Sequence, residues 1–287
     1  MIRISINNQE GKIDSPLTID QLAVISNMCS FKVEGSEYKS NNFRKRGADW
    51  DGSRRLFNAS TQRFPIGLLS KIEKFLIACG IEYTINDMRT DVPSTLALKC
   101  GNIEPRYYQR DATMSAIMNG SGIIKSATGS GKTTIATLIM SAFNKPTVFI
   151  VHTKDLMEQA IESFTRILGV KIGQIGDGIV DIQDVTVATV QTLSKASSAI
   201  EYESYKYDED GGRVDNAEVT TDNKHKILEW SHSVGLVLFD EVQRVASRTA
   251  FSARFMFHNA TRAFGLSASP WRDDGCDLMI EAAFGPV

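Results

Sequence analysis

The sequence predicts an α/β chain in two parts: a small α/β domain, then a larger unit built on a parallel sheet covered by helices on both faces. Three observations carry this. Beyond residue 105, short apolar runs alternate with stretches of helical spacing, the pattern of strands buried on both sides. The length of 287 residues leaves room for about two domains at roughly 150 residues each. Charge is also split. Residues 1–100 hold 14 of the 32 basic residues and 11 of the 34 acidic ones, leaving 18 basic against 23 acidic in the rest. With a formal net charge of −2, any surface for nucleic acid has to be local.

The small domain is expected over residues 1–92. "IRISI" alternates like a strand, and Leu69, Ile72, Phe75 and Leu76 in "LLSKIEKFLIACG" have helical spacing before a glycine stop. Its basic excess lies in 43–63, where Arg44, Lys45, Arg46, Arg54, Arg55 and Arg63 face only Asp49 and Asp51. Of these, Arg44, Lys45, Arg46, Arg54 and Arg55 are candidate DNA contacts. Trp50 reads first as a turn anchored on the core and second as a base-stacking wedge. A linker over 93–104 follows, with Pro93 and Gly101.

The larger unit is expected over 105–287. Its strands are "GIIKSA" (122–127), "TVFIVH" (147–152), "VTVAT" (185–189), "VGLVLFD" (234–240) and "AFGLSAS" (263–269), with helices over "TTIATLIMSAF" and "KDLMEQAIESFTRIL". Met114, Ile117 and Met118 read as a helix face in the core. The acidic stretch 201–226 reads as a loosely ordered, solvated insertion.

Between a strand and a helix sits "SATGSGKTT" (126–134). Gly129 and Gly131 permit positive φ and close approach of backbone to phosphate, and amides of Thr128 to Thr134, Ser130 among them, line an anion cradle. Lys132 reaches the outer phosphates and the Thr133 hydroxyl suits Mg²⁺. Ser126 stands where the strict formula has its first glycine. The loop binds a nucleotide on this reading. In "LVLFDEVQ" an apolar strand ends in two acids. Asp240 is placed to hold Mg²⁺ through water, and Glu241 to polarise the water that attacks the γ-phosphate.

In their order, these motifs resemble superfamily 2 helicases. "EPRYYQRDA" (104–112) looks like the segment that reads adenine, so the resemblance gives Gln109 to the base edge. "VFIVHTKDLMEQA" (148–160) resembles motif Ia, "IGQIGDG" (172–178) the glycine-containing turn after it, and "VTVATVQTLSK" (185–195) motif Ib. "DEVQ" is similar to the DExH box and "FGLSASPWRDDG" (264–275) to motif III, in wording nearest the XPB-like and RecG-like branch. "DWDGSRRLFNASTQRFPIGLLSKIEKF" (49–75) resembles the N-terminal domain of phage recombination helicases of the UvsW type. The resemblance implies a RecA-like second unit and an ATP- and Mg²⁺-dependent motor. It also implies sequence-independent grip on branched or single-stranded DNA through Thr153, Thr189, Gln191 and Thr192. Ser267, Ser269 and Gln243 would couple nucleotide to grip, Gln243 standing where the family has His. The family's second RecA-like domain, with its arginine fingers, is expected to follow in cis beyond "FGPV", so this chain alone is expected to hydrolyse ATP poorly.

Two other classes compete: a nucleotide-gated DNA-binding module that is no motor, and the motor part of a restriction-type nuclease, for which no nuclease carboxylate–lysine cluster is evident. Cys29, Cys79, Cys100 and Cys276 are scattered without Cys-x-x-Cys spacing, which argues against a disulfide framework or zinc cluster. His152 and His258 have no second ligand at workable spacing. The N-terminus lacks a signal-peptide pattern and no segment is apolar enough for a bilayer, so a cytoplasmic protein with no membrane partner is expected.

Overall fold

The computed structural model describes residues 1–33, 51–101, 103–202, 221–272 and 274–287. Strands β1 (Ile2–Ile6) and β2 (Glu10–Ile13) pair antiparallel around a turn closed by the Asn7 side chain, which accepts from the amides of Gln9 and Glu10. Helix α1 (Ile19–Met28) starts at a Thr18–Gln21 capping box. Strands β3 (Ser30–Lys32) and β4 (Ser53–Arg55) form a separate antiparallel pair. Then come β5 (Arg63–Pro65), helix α2 (Leu69–Ala78) and β6 (Tyr83–Asp87). The sheet order is β5-β2-β1-β6, with β6 parallel to β1. Ile2, Ile4 and Ile6 point to one side and bury against Ile72 and Leu76. Each such fully buried side chain contributes about 1.5–3 kcal/mol.

The second sheet is larger. Its elements are α3 (Tyr107–Asn119), β7 (Ser121–Lys125), α4 (Lys132–Phe143), β8 (Thr147–Val151), α5 (Lys154–Leu168), β9 (Gly173–Gly176) and β10 (Ile179–Asp181). They continue with β11 (Val185–Thr189), α6 (Val190–Tyr202), α7 (Thr221–Ser231), β12 (Leu236–Asp240), α8 (Arg248–Phe255), β13 (Arg262–Ser267) and α9 (Asp277–Phe284). The order is β10-β9-β11-β8-β12-β13-β7, parallel except for β10. Alternate residues serve opposite faces. Val148, Ile150, Val237 and Phe239 pack with α6 to α9, while Phe149, Val151, Leu236 and Leu238 pack with α3 to α5. A parallel sheet with helices on both faces is therefore what the apolar runs encode.

Two details differ from the sequence reading, and the structure sharpens a third, the glycine turn of "IGQIGDG". Met114, Ile117 and Met118 are 56 %, 41 % and 81 % exposed, because α3 turns Gln109, Thr113 and Ala116 inward instead. The turn in "IGQIGDG" is the tip of a hairpin: Asp177 and Gly178 both take positive φ, the two-residue geometry that Asp-Gly favours, between β9 and β10. The edges of the acidic stretch 201–226 are helical, closing α6 and opening α7, while its residues 203–220 lie outside the described residues.

Residues 94–101 do not swing free. Leu96 N and Leu98 N bond to the backbone and side chain of Asn144, and Gly101 N bonds to Ile167 O at 3.0 Å. Helix α9 joins the two sheets. Ile280, Ala283 and Phe284 enter the large core, while Leu278 and Ala282 enter the small one. Gly67 is required there, since a Cβ would lie 2.2 Å from the Glu281 carbonyl.

Candidate active site

Strands β7, β13 and β12 are neighbours and end on the same edge of the sheet, so the segments that follow them meet. After β7 the chain turns through 126–131 into α4. Gly129 and Gly131 hold φ of 76° and 84°, as their spacing requires. A Cβ on Gly129 would meet nothing within 4 Å, whereas one on Gly131 would lie 2.5 Å from Gln109 Nε2. Ser126 is outside the left-handed region, so no glycine is needed there; its hydroxyl bonds to Ser130 Oγ and its amide donates to Ser267 O.

From β12 comes Asp240, then Glu241, whose backbone is left-handed at φ 51°. A bulky residue held in that conformation costs on the order of 1–3 kcal/mol, strain of the kind that gathers at functional positions. Lys132 Nζ donates to Glu241 Oε1 at 2.7 Å. Gln243 Nε2 donates to Glu241 Oε2 at 2.7 Å, and Ser267 Oγ donates to Gln243 Oε1 at 2.7 Å. Ser269 N then donates to Ser267 Oγ at 3.0 Å. A continuous relay runs from the loop lysine to the end of β13.

The two acids are tuned apart. Burial pushes the Asp240 carboxyl above the usual range and Glu241 adds to this, against the pull of Lys132. Burial acts on Glu241 too, but the hydrogen bonds from Lys132 and Gln243 outweigh it and hold that carboxyl low. Gln109 is 5 % exposed and acts on the loop: its Nε2 donates to Ser130 O at 2.8 Å, its Oε1 accepts from Arg106 N at 3.0 Å, and Tyr108 OH also donates to Ser130 O.

A triphosphate with magnesium fits these residues. The open flank of Gly129, the start of α4 and Lys132 suit phosphate oxygens. Asp240 with Thr133, the second residue of α4, suits a hard cation that keeps most of its waters and needs no dense ligand cluster. Thr128 is exposed and Thr134 half-buried on the same segment.

The family description "Type III restriction enzyme, res subunit" matches residues 102–272, more than half of the chain and the whole of this site. The chain belongs to this family. Its relatives include superfamily 2 helicases. The "DNA 3'-5' translocase XPB2" of Sulfurisphaera tokodaii is 29 % identical over 185 residues, 64 % of this chain and 35 % of the relative. The "ATP-dependent DNA helicase uvsW" of Enterobacteria phage T4 is 27 % identical over 267 residues, 87 % of this chain and 48 % of the relative. The chain thus spans between about a third and a half of these relatives' length. The crystal structure of the UvsW helicase from bacteriophage T4 shares the fold, with a TM-score of 0.73 at 22 % identity over 99 % of this chain and 98 % of that one. A second T4 UvsW structure gives 0.71 at 23 % identity, over 100 % of this chain and 56 % of that one.

In this member of the res-subunit family, the residues suggested for DNA lie along the same sheet edge. Thr153 caps α5, its hydroxyl accepting from Leu156 N. Thr189 is buried at the end of β11, its hydroxyl bonded to that of Thr192, and Gln191 is exposed beside them. Arg54 and Arg55 are exposed on β4; Arg55 is ion-paired with Asp51, and Arg54 is near enough to Cys276 to pull against the upward shift that burial gives its thiol. Arg44, Lys45, Arg46 and Trp50 lie outside the described residues.

Two further residues border the site. Arg272 Nη1 donates to the Gln243 carbonyl at 2.8 Å and its guanidinium pairs with Asp274, so it braces the relay; its signal was the "PWRDDG" run. His152, just past the end of β8, packs edge-on to Phe239, and burial lowers its pKa to about 4. Among the described residues no group of three or more His, Cys, Asp or Glu could hold a metal ion, and no helix is long and apolar enough to cross a membrane.

Proposed function

We propose that this chain is the first motor unit and a DNA-contacting module of an ATP-dependent DNA helicase or translocase, acting on branched or single-stranded DNA during phage recombination, repair or replication. The observation that carries this reading is the Lys132–Glu241–Gln243–Ser267 relay, which joins the glycine loop after β7 to the ends of β12 and β13. Thr153, Thr189 and Gln191 follow β8 and β11 on that same edge of the sheet.

ATP would seat its β- and γ-phosphates on the amides of 129–133, with its γ-oxygens competing with Glu241 for the Lys132 ammonium. Glu241, released from that pair, gains affinity for a proton and orients the attacking water. Asp240 and Thr133 would hold Mg²⁺, which neutralises charge on the β- and γ-oxygens. Gln243 then passes the change at Glu241 to Ser267 and Ser269. Gln109, which braces Ser130, would turn its remaining N–H to adenine. A second RecA-like unit supplies the arginines that complete the cleft, in keeping with the greater length of the relatives. Grip through hydroxyls and helix N-termini addresses phosphates and is indifferent to sequence.

The test is ATP hydrolysis by the full-length protein with no DNA, single strands, linear duplex and forked DNA. Stimulation greatest on forks or single strands, lost in Lys132→Ala, is expected. Hydrolysis that responds to none of these DNAs would overturn the reading.

A further inference from the structure

A second concentration of positive charge lies at the opposite end of the strands, between the two sheets. Arg254 in α8 is 2 % exposed. Its Nε donates to the Ala283 carbonyl at 3.1 Å, and its guanidinium lies over the rings of Phe255 and Phe284, 5.2 and 5.5 Å from their centroids. Its Nη1 has no hydrogen-bond partner among the described residues. Burial lowers its pKa to about 10, and among the described residues no carboxylate offsets it. Arg262, at the start of β13, also has a buried Nε without a partner, and its guanidinium lies over Phe143.

Both arginines line one cavity of about 170 Å³, which Arg89 of the small domain borders from the other side. The acids nearby are engaged. Asp87 is paired with Arg89, Glu73 on the cavity wall accepts from Tyr83 OH at 3.0 Å, and Asp91, which also feels the Arg262 charge, is held by Lys145 and Thr261. A buried guanidinium without a counter-charge is among the least favourable arrangements in a protein interior. Its planar fork of donors is also the group best matched to a tetrahedral oxyanion.

We infer that the cavity between Arg89, Arg254 and Arg262 is a binding site for a single phosphate group, held jointly by the two structural units. Its volume is well under the roughly 300 Å³ at which organic-ligand pockets begin, so it takes a phosphate group and not a nucleotide. The group comes either as free phosphate or as one phosphate of a nucleic-acid backbone. The site is separate from the nucleotide loop: Ser121 and Arg262 stand at the N-terminal ends of β7 and β13, and the loop lies beyond their C-terminal ends. Occupancy would tie Arg89 of one unit, through the Nη1 that Asp87 leaves free, to Arg254 and Arg262 of the other.

The test is the thermal midpoint of the chain against inorganic phosphate, at ionic strength held constant with chloride. A millimolar site predicts a rise of about 3–5 °C at about 50 mM phosphate. In Lys132→Ala, which removes the cation of the nucleotide loop, the rise persists. In Arg254→Met it disappears, while the midpoint without phosphate stays level or increases, because a buried unpaired charge has gone. Arg262→Gln, at a less buried position, weakens the response at least severalfold and serves should Arg254→Met fail to fold. Short DNA duplexes added in place of phosphate separate the sources: a rise that Arg254→Met abolishes assigns a backbone phosphate, and no rise assigns free phosphate. An undiminished phosphate response in Arg254→Met and Arg262→Gln, or one lost only in Lys132→Ala, would overturn the site.

Discussion

Lys132 and Glu241 meet at 2.7 Å across 109 positions of sequence, one at the start of α4 and the other just past β12. The lysine holds the carboxylate, and the carboxylate holds the lysine in the mouth of the glycine loop. On the proposed reading, replacing Lys132 with Ala removes the cation that would meet the outer phosphates, and it frees Glu241 to move back toward the usual carboxylate range. DNA-stimulated hydrolysis is expected to fall at least about a hundredfold, the scale on which single electrostatic contacts act in such sites. Steady-state phosphate release measures it.

Gln243 joins Glu241 to Ser267 because an amide both donates and accepts. In Gln243→Leu both partners lose that bond, at a stability cost of about 1–2 kcal/mol. The ratio of DNA-stimulated to unstimulated hydrolysis is expected to drop severalfold. Gln243→His, which keeps a donor and an acceptor, should restore much of that ratio. An unchanged ratio in the Leu variant would separate the relay from coupling.

The strands that carry the site were legible in the sequence because they are buried on both faces and therefore read as unbroken apolar runs. The loop was legible because glycines at 129 and 131 answer a backbone need that no other residue meets cheaply. Other features depend on neighbours distant in sequence. Strand β6 reads as polar "YTIND" because it is an edge strand, exposed beyond its first residue. The outward turn of Met114 and Met118 follows from how α3 packs on α4, and the burial of Arg254 from how α9 crosses α8. The left-handed backbone at Glu241 has no local signature, since glutamate is not a residue that seeks it. Gln109 carries the opposite lesson: the family motif found the residue, and the structure shows it bracing the loop backbone at Ser130.

The two loop glycines should respond differently to a methyl group. Gly129→Ala meets no neighbour and pays only for its positive φ, about 1 kcal/mol. Gly131→Ala adds a collision with the Gln109 amide, which cannot retreat without releasing Ser130 or Arg106. Its cost is expected to be about 2–3 kcal/mol, with weaker nucleotide binding as well. Urea unfolding midpoints and nucleotide titration compare the pair.

His152 makes stability pH-dependent. Burial depresses its pKa from 6.5 to about 4, with Arg244 adding and Glu241 opposing. The folded state therefore prefers the neutral ring. This stability is fully present above pH 6.5 and is lost as pH falls toward about 4, where the folded protein finally takes up the proton. After a discount for partial solvent contact, the amount at stake is on the order of 1–2 kcal/mol. His152→Phe, which keeps the packing on Phe239, should show a shallower fall in thermal midpoint between about pH 7 and about pH 5. Parallel curves for the two proteins would remove His152 from the acid response.

The basic strand β4 sets a limit on how much DNA binding can depend on salt through it. Each phosphate neutralised contributes a slope of about 0.9 in log K against log salt. Arg55 already has Asp51 as its counter-charge, so most of its counterion release is spent within the protein. Arg54 has no ion pair among the described residues and stands near the loop that follows β13. Arg54→Gln is therefore expected to flatten the slope by about one unit, and Arg55→Gln by clearly less. Equal and full effects from both would show that Asp51 gives up Arg55 when DNA binds.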